Sequence, residues 1–136
     1  MNWILEVVIV PVTDVDRAKD FYSGPLGFTV DFDSDFGEGM RVVQLTPPGS
    51  GCSIQIGTSG AVPRMEPGSV KGLQLVVPDI EKARAELLER GLEVGEVQVL
   101  GKNPRPTLHP LDNVGFLFFE DPDGNGWAVQ QISSRG

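Results

Sequence analysis

The chain alternates between apolar segments of β character and two short segments in which apolar residues recur three or four positions apart. The recurring residues are Val15, Ala18 and Tyr22 in the first segment, and Ile80, Ala83 and Leu87 in the second. Asp14 and Asp79 precede these segments, where a side-chain oxygen accepts a hydrogen bond from an early helix N–H. Gly27 and Gly91 follow them, and such glycines are typical of helix ends. The pattern therefore predicts one amphipathic helix in each half of the chain.

The two halves repeat each other. DVDRAK at residues 14–19 matches DIEKAR at residues 79–84, and Gly27-Phe28 aligns with Gly91-Leu92 after one residue is dropped. A period of about 65 residues in only two copies is too long for a solenoid. The repeat indicates a duplicated module.

Eight apolar or alternating segments surround the two helices and predict strands. They are Trp3–Val12, Phe28–Phe32, Arg41–Leu45, Cys52–Gly57, Gly72–Val77, Glu93–Val99, Val114–Phe119 and Trp127–Ile132. The sequence DPDGNG at residues 121–126 predicts the turn between the last two strands. We therefore expect an α+β fold of two βαβββ modules, residues 2–58 and 70–134, joined by a linker at 59–69.

The composition of the chain limits the kinds of partner that it is expected to bind. The chain has 136 residues and a net charge of −8, which disfavours binding to nucleic acid or anionic membranes. Its one cysteine, Cys52, excludes an internal disulfide. The apolar Trp3–Val12 segment contains Glu6 and lacks a basic flank, so it does not resemble a signal peptide. We expect a soluble cytoplasmic protein.

The βαβββ order, the aspartate opening each helix, FY…LGF at residues 21–28 and DPDGN at 121–125 together resemble the vicinal oxygen chelate superfamily. That group includes glyoxalase I, extradiol dioxygenases, fosfomycin-resistance enzymes and bleomycin-resistance binding proteins. The resemblance covers essentially the whole chain. It implies that the strands curl into a cup with the helices outside, that a homodimer often completes the cup, and that the ligand lies inside it. The scaffold hosts many chemistries, so it does not fix the function.

Enzymes of that superfamily usually hold a divalent metal with His and Glu residues from four strands. Carried over one at a time, these positions fall on Val7, Gln55, Gly72 and Ala128. Metals of this class need imidazole or carboxylate ligands, and the amide oxygen of Gln55 is a poor substitute. The resemblance therefore implies no metal at the usual position, and we expect no cofactor.

Strand alternation predicts which residues line the cup. The expected ligand-binding residues on these strands are Trp3, Val7, Gln55, Gly72, Gln74, Ala128 and Gln130. Three of them are glutamines, which donate and accept hydrogen bonds without charge, and this favours a neutral pocket for a mid-sized, partly aromatic ligand. Alternatively, the amides satisfy one another or water at a solvated sheet face. The same alternation points Trp127 away from the cup, into the core beneath a helix.

The stretch Leu100–Asn113 is the longest without predicted structure, and loops of this length are often functional. It contains Lys102, Arg105 and His109, the only histidine. Folded over the cup, these side chains would meet an anionic group; otherwise the loop is simply solvated. His109 is also a candidate general base, with Asp112 as the partner that would orient it.

Two functions follow from these residues. The first is a metal-free small-molecule binding protein of the bleomycin-resistance type, whose acidic surface would attract a cationic ligand. The alternative is a glyoxalase-like enzyme that uses side-chain acid–base groups, with His109, Glu38 and Asp35 as candidates, or a non-standard metal site. The sequence shows no clear general base facing the cup, and this favours binding.

Overall fold

The computed structural model describes residues 1–103 and 109–135. Its elements are β1 Val7–Ile9, α1 Val15–Ser23, β2 Thr29–Asp35, β3 Arg41–Thr46, β4 Ser53–Gly57, β5 Leu73–Val77, α2 Ile80–Glu89, β6 Gln98–Val99, β7 Gly115–Glu120 and β8 Gly126–Gln131, followed by a 3-10 turn at Ser133–Arg135. The strands form two mixed four-stranded sheets: sheet 1, in the order β1-β4-β3-β2, and sheet 2, in the order β5-β8-β7-β6. The predicted α+β fold of two βαβββ modules is confirmed.

The chain divides into two compact units. The first comprises Met1–Val70 together with Asp121–Asn125, and the second comprises residues 71–120 and the chain from 126 onward. The DPDGN turn thus packs in the unit of sheet 1, although its flanking strands belong to sheet 2. In the described residues, neither helix is long and apolar enough to cross a membrane.

In the first unit, α1 packs its apolar side on β3 and β4. The buried residues are Val15, Ala18 and Tyr22 from the helix and Val43, Leu45, Ile54 and Ile56 from the strands. As predicted, Asp14 caps the helix by accepting a hydrogen bond from the Arg17 N–H at 3.0 Å. The prediction that Gly27 ends this helix is wrong. The helix ends at Ser23, since the proline at position 25 disfavours helical geometry at Gly24.

The DPDGN turn is held by a buried polar cluster within the first unit. The Asp121 carboxylate accepts hydrogen bonds from the Tyr22 hydroxyl at 2.7 Å and from the Asn125 amide side chain at 2.8 Å. The same Asn125 amide also donates to the Pro11 carbonyl at 2.8 Å. Because Asn125 is fully buried, these bonds satisfy groups that would be costly to bury unpaired. The predicted turn is confirmed, and its polar residues have this structural role.

In the second unit, α2 packs on β7 and β8 through Ile80 and Leu87. Trp127 is 4% exposed and stacks on Phe119 with ring centroids 6.0 Å apart, which confirms its predicted place in the core. Gly91 follows the helix with a φ of 87°, as predicted for a glycine that ends a helix.

Several strand boundaries differ from the predictions. The first strand was predicted over Trp3–Val12 but spans only Val7–Ile9, because its partner strand β4 begins at Ser53, opposite Val7. The strand predicted to end at Phe32 continues to Asp35, since β3 pairs with it throughout. The strand predicted over Glu93–Val99 is reduced to Gln98–Val99.

Candidate functional site

The face of sheet 1 that is turned away from α1 is called here open face 1. Its positions follow from the pairing, because directly paired residues point to the same side of a sheet. Ile9 pairs with Gln55, Gln55 with Gln44, and Gln44 with Phe32. The strand neighbours of Ile9, Gln55 and Gln44 point to the helix side of the sheet. Gln55 therefore lies on the face predicted for it, beside a second glutamine that the sequence analysis did not select.

A β-bulge changes the pattern of β2. Val30 pairs with Leu45 and Phe32 pairs with Gln44, so Asp31 is an extra residue without a partner in the ladder. A bulge sets two residues of one strand against one of the other, which here places Asp31 and Phe32 together on open face 1. The Phe32 side chain is 39% exposed. The bulge thus adds a carboxylate and an aromatic ring to this face.

A hydrogen-bonded row crosses open face 1. The Gln55 side-chain amide donates to Gln44 Oε1 at 2.9 Å, and the Gln44 amide donates to Asp31 Oδ2 at 3.2 Å. The Thr46 hydroxyl donates to the same Oδ2 and lies 2.6 Å from the Ser53 hydroxyl. Neighbours therefore hold the amides and one oxygen of Asp31 in place. The row ends at a single carboxylate.

The corresponding face of sheet 2, turned away from α2, is called open face 2 and is more apolar. Ala128 pairs with Gln74 and Phe118, and Gln130 pairs with Val76 and Phe116, so these residues share the face. The Phe116 and Phe118 rings stack with centroids 6.2 Å apart and planes 9° apart. Phe118 is 43% exposed. Phe116 is half-buried, so the pair offers a partly exposed aromatic surface on which a planar ligand can stack.

The two predicted glutamines of this face hydrogen-bond to each other. The Gln74 amide donates to Gln130 Oε1 at 2.9 Å, and the Gln130 amide donates to the Asn113 carbonyl at 2.9 Å. The alternative in which the amides satisfy one another thus describes part of the geometry. Gln74 lies on β5, the edge strand of sheet 2, and its side chain is exposed. It can therefore also contact a ligand. The binding role of both residues stays a prediction.

An open pocket of about 540 Å³ in the second unit includes part of open face 2. Its lining residues are Lys71, Leu92, Glu93, Phe118, Phe119, Glu120, Gly126, Trp127 and Ala128. Pockets of this size suit small organic ligands. Phe118 and Ala128 therefore belong both to the pocket and to the open face.

Comparisons with known proteins agree with this architecture. Residues 3–129 match the family model described as Glyoxalase/Bleomycin resistance protein/Dioxygenase superfamily. The chain belongs to this superfamily. The match covers both sheets and both helices, so membership extends to the whole fold.

Solved structures of superfamily members resemble the chain over nearly its full length. TnmS3, an antibiotic binding protein from Streptomyces sp. CB03234, is 35% identical with a TM-score of 0.70, and the alignment covers 97% of this chain and 98% of that one. A glyoxalase/bleomycin resistance protein from the same organism is 35% identical with a TM-score of 0.67, over 94% and 100% of the chains. A superfamily member from Sphaerobacter thermophilus DSM 20745 is 28% identical with a TM-score of 0.67, over 96% and 98%. No curated protein sequence matches the chain.

The residues onto which the resemblance carries the metal positions do not fit a metal. Val7, Gly72 and Ala128 have no donor side chain, and the side-chain amide of Gln55 donates a hydrogen bond to Gln44. Among residues 1–103 and 109–135, no group of three His, Cys, Asp or Glu side chains could hold a metal ion. The donor set therefore lacks the imidazole and carboxylate ligands that the usual centre needs.

The candidate acid–base residues lie in several places. His109 and Lys102 are exposed, whereas Arg105 falls outside the described residues. The carboxylate of Asp112, the expected partner of His109, is 5% exposed and accepts hydrogen bonds from Gln131 and Ser133, each at 2.9 Å. These bonds serve the packing of the second unit. The catalytic role of His109 stays a prediction.

Glu38 and Asp35 lie at the connection between β2 and β3. Glu38 is exposed and has a φ of 55°. Asp35 accepts a hydrogen bond from the Gly37 N–H at 2.8 Å, and it pairs with Arg41, which points to the helix side of sheet 1. Neither carboxylate belongs to the row on open face 1, so their predicted catalytic roles gain no support from this placement.

The helix side of sheet 1 carries an ion-pair network. Arg41 contacts Asp33 and Asp16, both at 2.7 Å, and Lys19 contacts Asp33 at 2.8 Å. Hydrogen bonds from Arg41 and Lys19 hold the pKa of the Asp33 carboxyl well below its usual range. The network joins α1 to β2 and β3 and is structural.

The residues of the open faces that the sequence did not point to include Asp31, Phe32, Gln44, Phe116 and Phe118. Gln44 carried a usable signal, because it alternates with Val43 and Leu45, which the fold buries. The phenylalanines lie in a run that is apolar on both faces, so alternation could not orient them. The side of the sheet on which Asp31 and Phe32 lie depends on the bulge in β2.

Proposed function

We propose that this protein binds a mid-sized, partly aromatic small molecule on open face 2, without a metal at the usual position of the superfamily. The observation that carries the proposal is the stacked pair of Phe116, which is half-buried, and Phe118, which is exposed. The similarity to TnmS3, an antibiotic binding protein, supports binding as the activity. Sequestering a ligand requires only such a surface and no reacting group.

The aromatic and the amide side chains of open face 2 would contribute differently to the affinity for the ligand. Stacking on the phenylalanine rings supplies non-directional apolar contact, and aromatic pairs add about 0.5–1.5 kcal/mol beyond buried area. The amides of Gln74 and Gln130 would orient the polar edge of the ligand. Recognition would thus combine one apolar anchor with a few polar contacts.

The proposal is tested by titrating the protein with N-acetyldoxorubicin, an uncharged planar compound, and following its fluorescence. The variant Phe118→Ala should weaken binding roughly tenfold, because it removes one ring of the stacked pair. Phe36→Ala is the matched control, since Phe36 is also exposed but follows the end of β2. Equal affinities for the wild type and the Phe118 variant would contradict the proposal.

An enzyme is the second candidate, and one observation favours it. Asp31 provides a carboxylate on open face 1, and a positioned carboxylate can serve as an acid or base. The two functions differ in what happens to the ligand. Mass spectrometry after prolonged incubation should recover the bound compound unchanged if the protein only binds it. A changed mass that depends on Asp31 would favour the enzyme.

We also propose a cytoplasmic homodimer. Trp3, Ile4 and Leu5 are 91%, 79% and 68% exposed, and such a run of apolar surface favours contact with a second copy. The single cysteine is compatible with a reducing compartment. Light scattering should give twice the chain mass, and replacing the three residues with serine should give the monomer. A monomeric wild-type protein would contradict the dimer.

A further inference from the structure

We infer that Asp31 anchors a protonated amine on open face 1, so that this face takes a cationic aromatic compound. This inference rests on the proposed binding function and adds the charge of a ligand to it. It starts from the bulge in β2, which brings the carboxylate to open face 1 instead of leaving it in the ladder.

Only one oxygen of the Asp31 carboxylate is used within the protein. Oδ2 accepts hydrogen bonds from the Gln44 amide and the Thr46 hydroxyl. Oδ1 accepts none from residues 1–103 and 109–135, and the side chain is exposed. The two bonds to Oδ2 fix the direction of Oδ1 in advance, which reduces the entropy that a ligand would lose on binding. Oδ1 is therefore a preorganised acceptor.

The surroundings of this acceptor favour a cation. Three other aspartates of the first unit have basic partners: Asp16 and Asp33 pair with Arg41, and Asp123 pairs with Arg17. In the described part of the chain Asp31 has no such partner. A charged donor forms stronger hydrogen bonds to a carboxylate than a neutral one does. The net charge of −8 adds a long-range attraction for cations.

A protonated amine fits better than a metal ion. The row contributes one carboxylate and otherwise amides and hydroxyls, whereas divalent cations such as calcium take six to eight oxygen ligands. Phe32 shares the bulge and is 39% exposed. An aromatic ring next to a carboxylate can contact both the cation and the planar part of an amine-bearing compound.

The test compares doxorubicin, which carries a protonated amine, with N-acetyldoxorubicin, which differs by the loss of that charge. The wild-type protein should bind doxorubicin at least about tenfold more tightly, as expected for a charged hydrogen bond. Asp31→Asn should remove this preference and leave the affinity for the acetylated compound within about twofold. Binding of the acetylated compound also shows that the variant is folded.

The control is Asp20→Asn, which changes the net charge equally but lies on the exposed side of α1. It should keep the preference for doxorubicin. Asp31→Glu retains the negative charge and should keep part of the preference for doxorubicin. This variant tests the site even if Asp31→Asn fails to fold. A preference that weakens with added salt would agree with a surface contact.

The outcomes separate this inference from the proposed function. If the wild type binds both compounds equally, or if Asp31→Asn and Asp20→Asn reduce the preference alike, the amine site is overturned. A loss of affinity in Phe118→Ala would then still support aromatic binding. If the wild type binds neither compound, both proposals are contradicted.

Discussion

The two open faces have the same backbone plan and different side chains. Gln55 pairs with Gln44 in sheet 1, and the corresponding pair in sheet 2 is Ala128 with Phe118. The register is equivalent, because Ile9, opposite Gln55, lies two residues after Val7, and Gln74, opposite Ala128, lies two residues after Gly72. Duplication has therefore kept the pairing while the exposed residues diverged.

The two sheets therefore present different surfaces. Open face 1 has a fixed polar row that ends in Asp31, whereas open face 2 has the stacked phenylalanine pair. Among the described residues, neither face has a group of three His, Cys, Asp or Glu side chains that could hold a metal ion. The same superfamily scaffold thus carries one polar surface and one aromatic surface, built from equivalent strand positions.

The largest expected effect comes from removing both rings of open face 2. The double variant Phe116→Ala/Phe118→Ala should weaken the binding of N-acetyldoxorubicin roughly 100-fold, at about 1.4 kcal/mol for each ring. The matching double variant on open face 1, Gln44→Ala/Gln55→Ala, should weaken the binding of the same compound at most about tenfold. Equal losses from the two variants, measured by calorimetric titration, would remove the distinction between the faces.

A double-mutant cycle on Gln44 and Gln55 tests whether the amides of open face 1 support each other. Their hydrogen bond of 2.9 Å should appear as a coupling of about 1 kcal/mol in the free energy of unfolding, measured with urea. If the effects of the two single substitutions on the free energy of unfolding are additive, Gln55 does not hold Gln44 in place. The row would then not position Asp31.

The ion-pair network of sheet 1 predicts a pH effect. The pKa of Asp33 in the folded protein lies below its usual value of 3.8, so its pairing stabilises the fold above that pH. The stabilisation is lost as the pH falls towards the lowered pKa. Urea unfolding should show wild type more stable than Asp33→Asn by about 1 kcal/mol at neutral pH. This difference should shrink below about pH 4; a constant difference down to about pH 2.5 would refute the linkage.

The smallest expected effect is that of a chelator. Because Val7, Gly72 and Ala128 offer no donors, EDTA should leave the affinity for N-acetyldoxorubicin and the melting temperature unchanged. A loss of binding that added zinc, nickel or iron restores would show that a metal acts at another set of residues.

The sequence predicted the repeated elements because helix caps and apolar periodicity are local signals. Asp14 and Asp79 cap the helices as expected. The bulge was not predictable in the same way, since strict alternation from Val30 would place Phe32 on the buried side. Trp3 was expected on a strand from its apolar neighbours, but a strand also needs a partner, and β4 starts opposite Val7. Pairing between distant segments decides such features.

The most direct test of the account is native mass spectrometry of the freshly purified protein, titrated with N-acetyldoxorubicin and paired with elemental analysis. We expect one ligand bound per chain, no stoichiometric metal, and loss of the bound species in Phe116→Ala/Phe118→Ala. One divalent metal per chain, together with equal ligand retention by the double variant, would contradict it and would favour a metal-dependent enzyme.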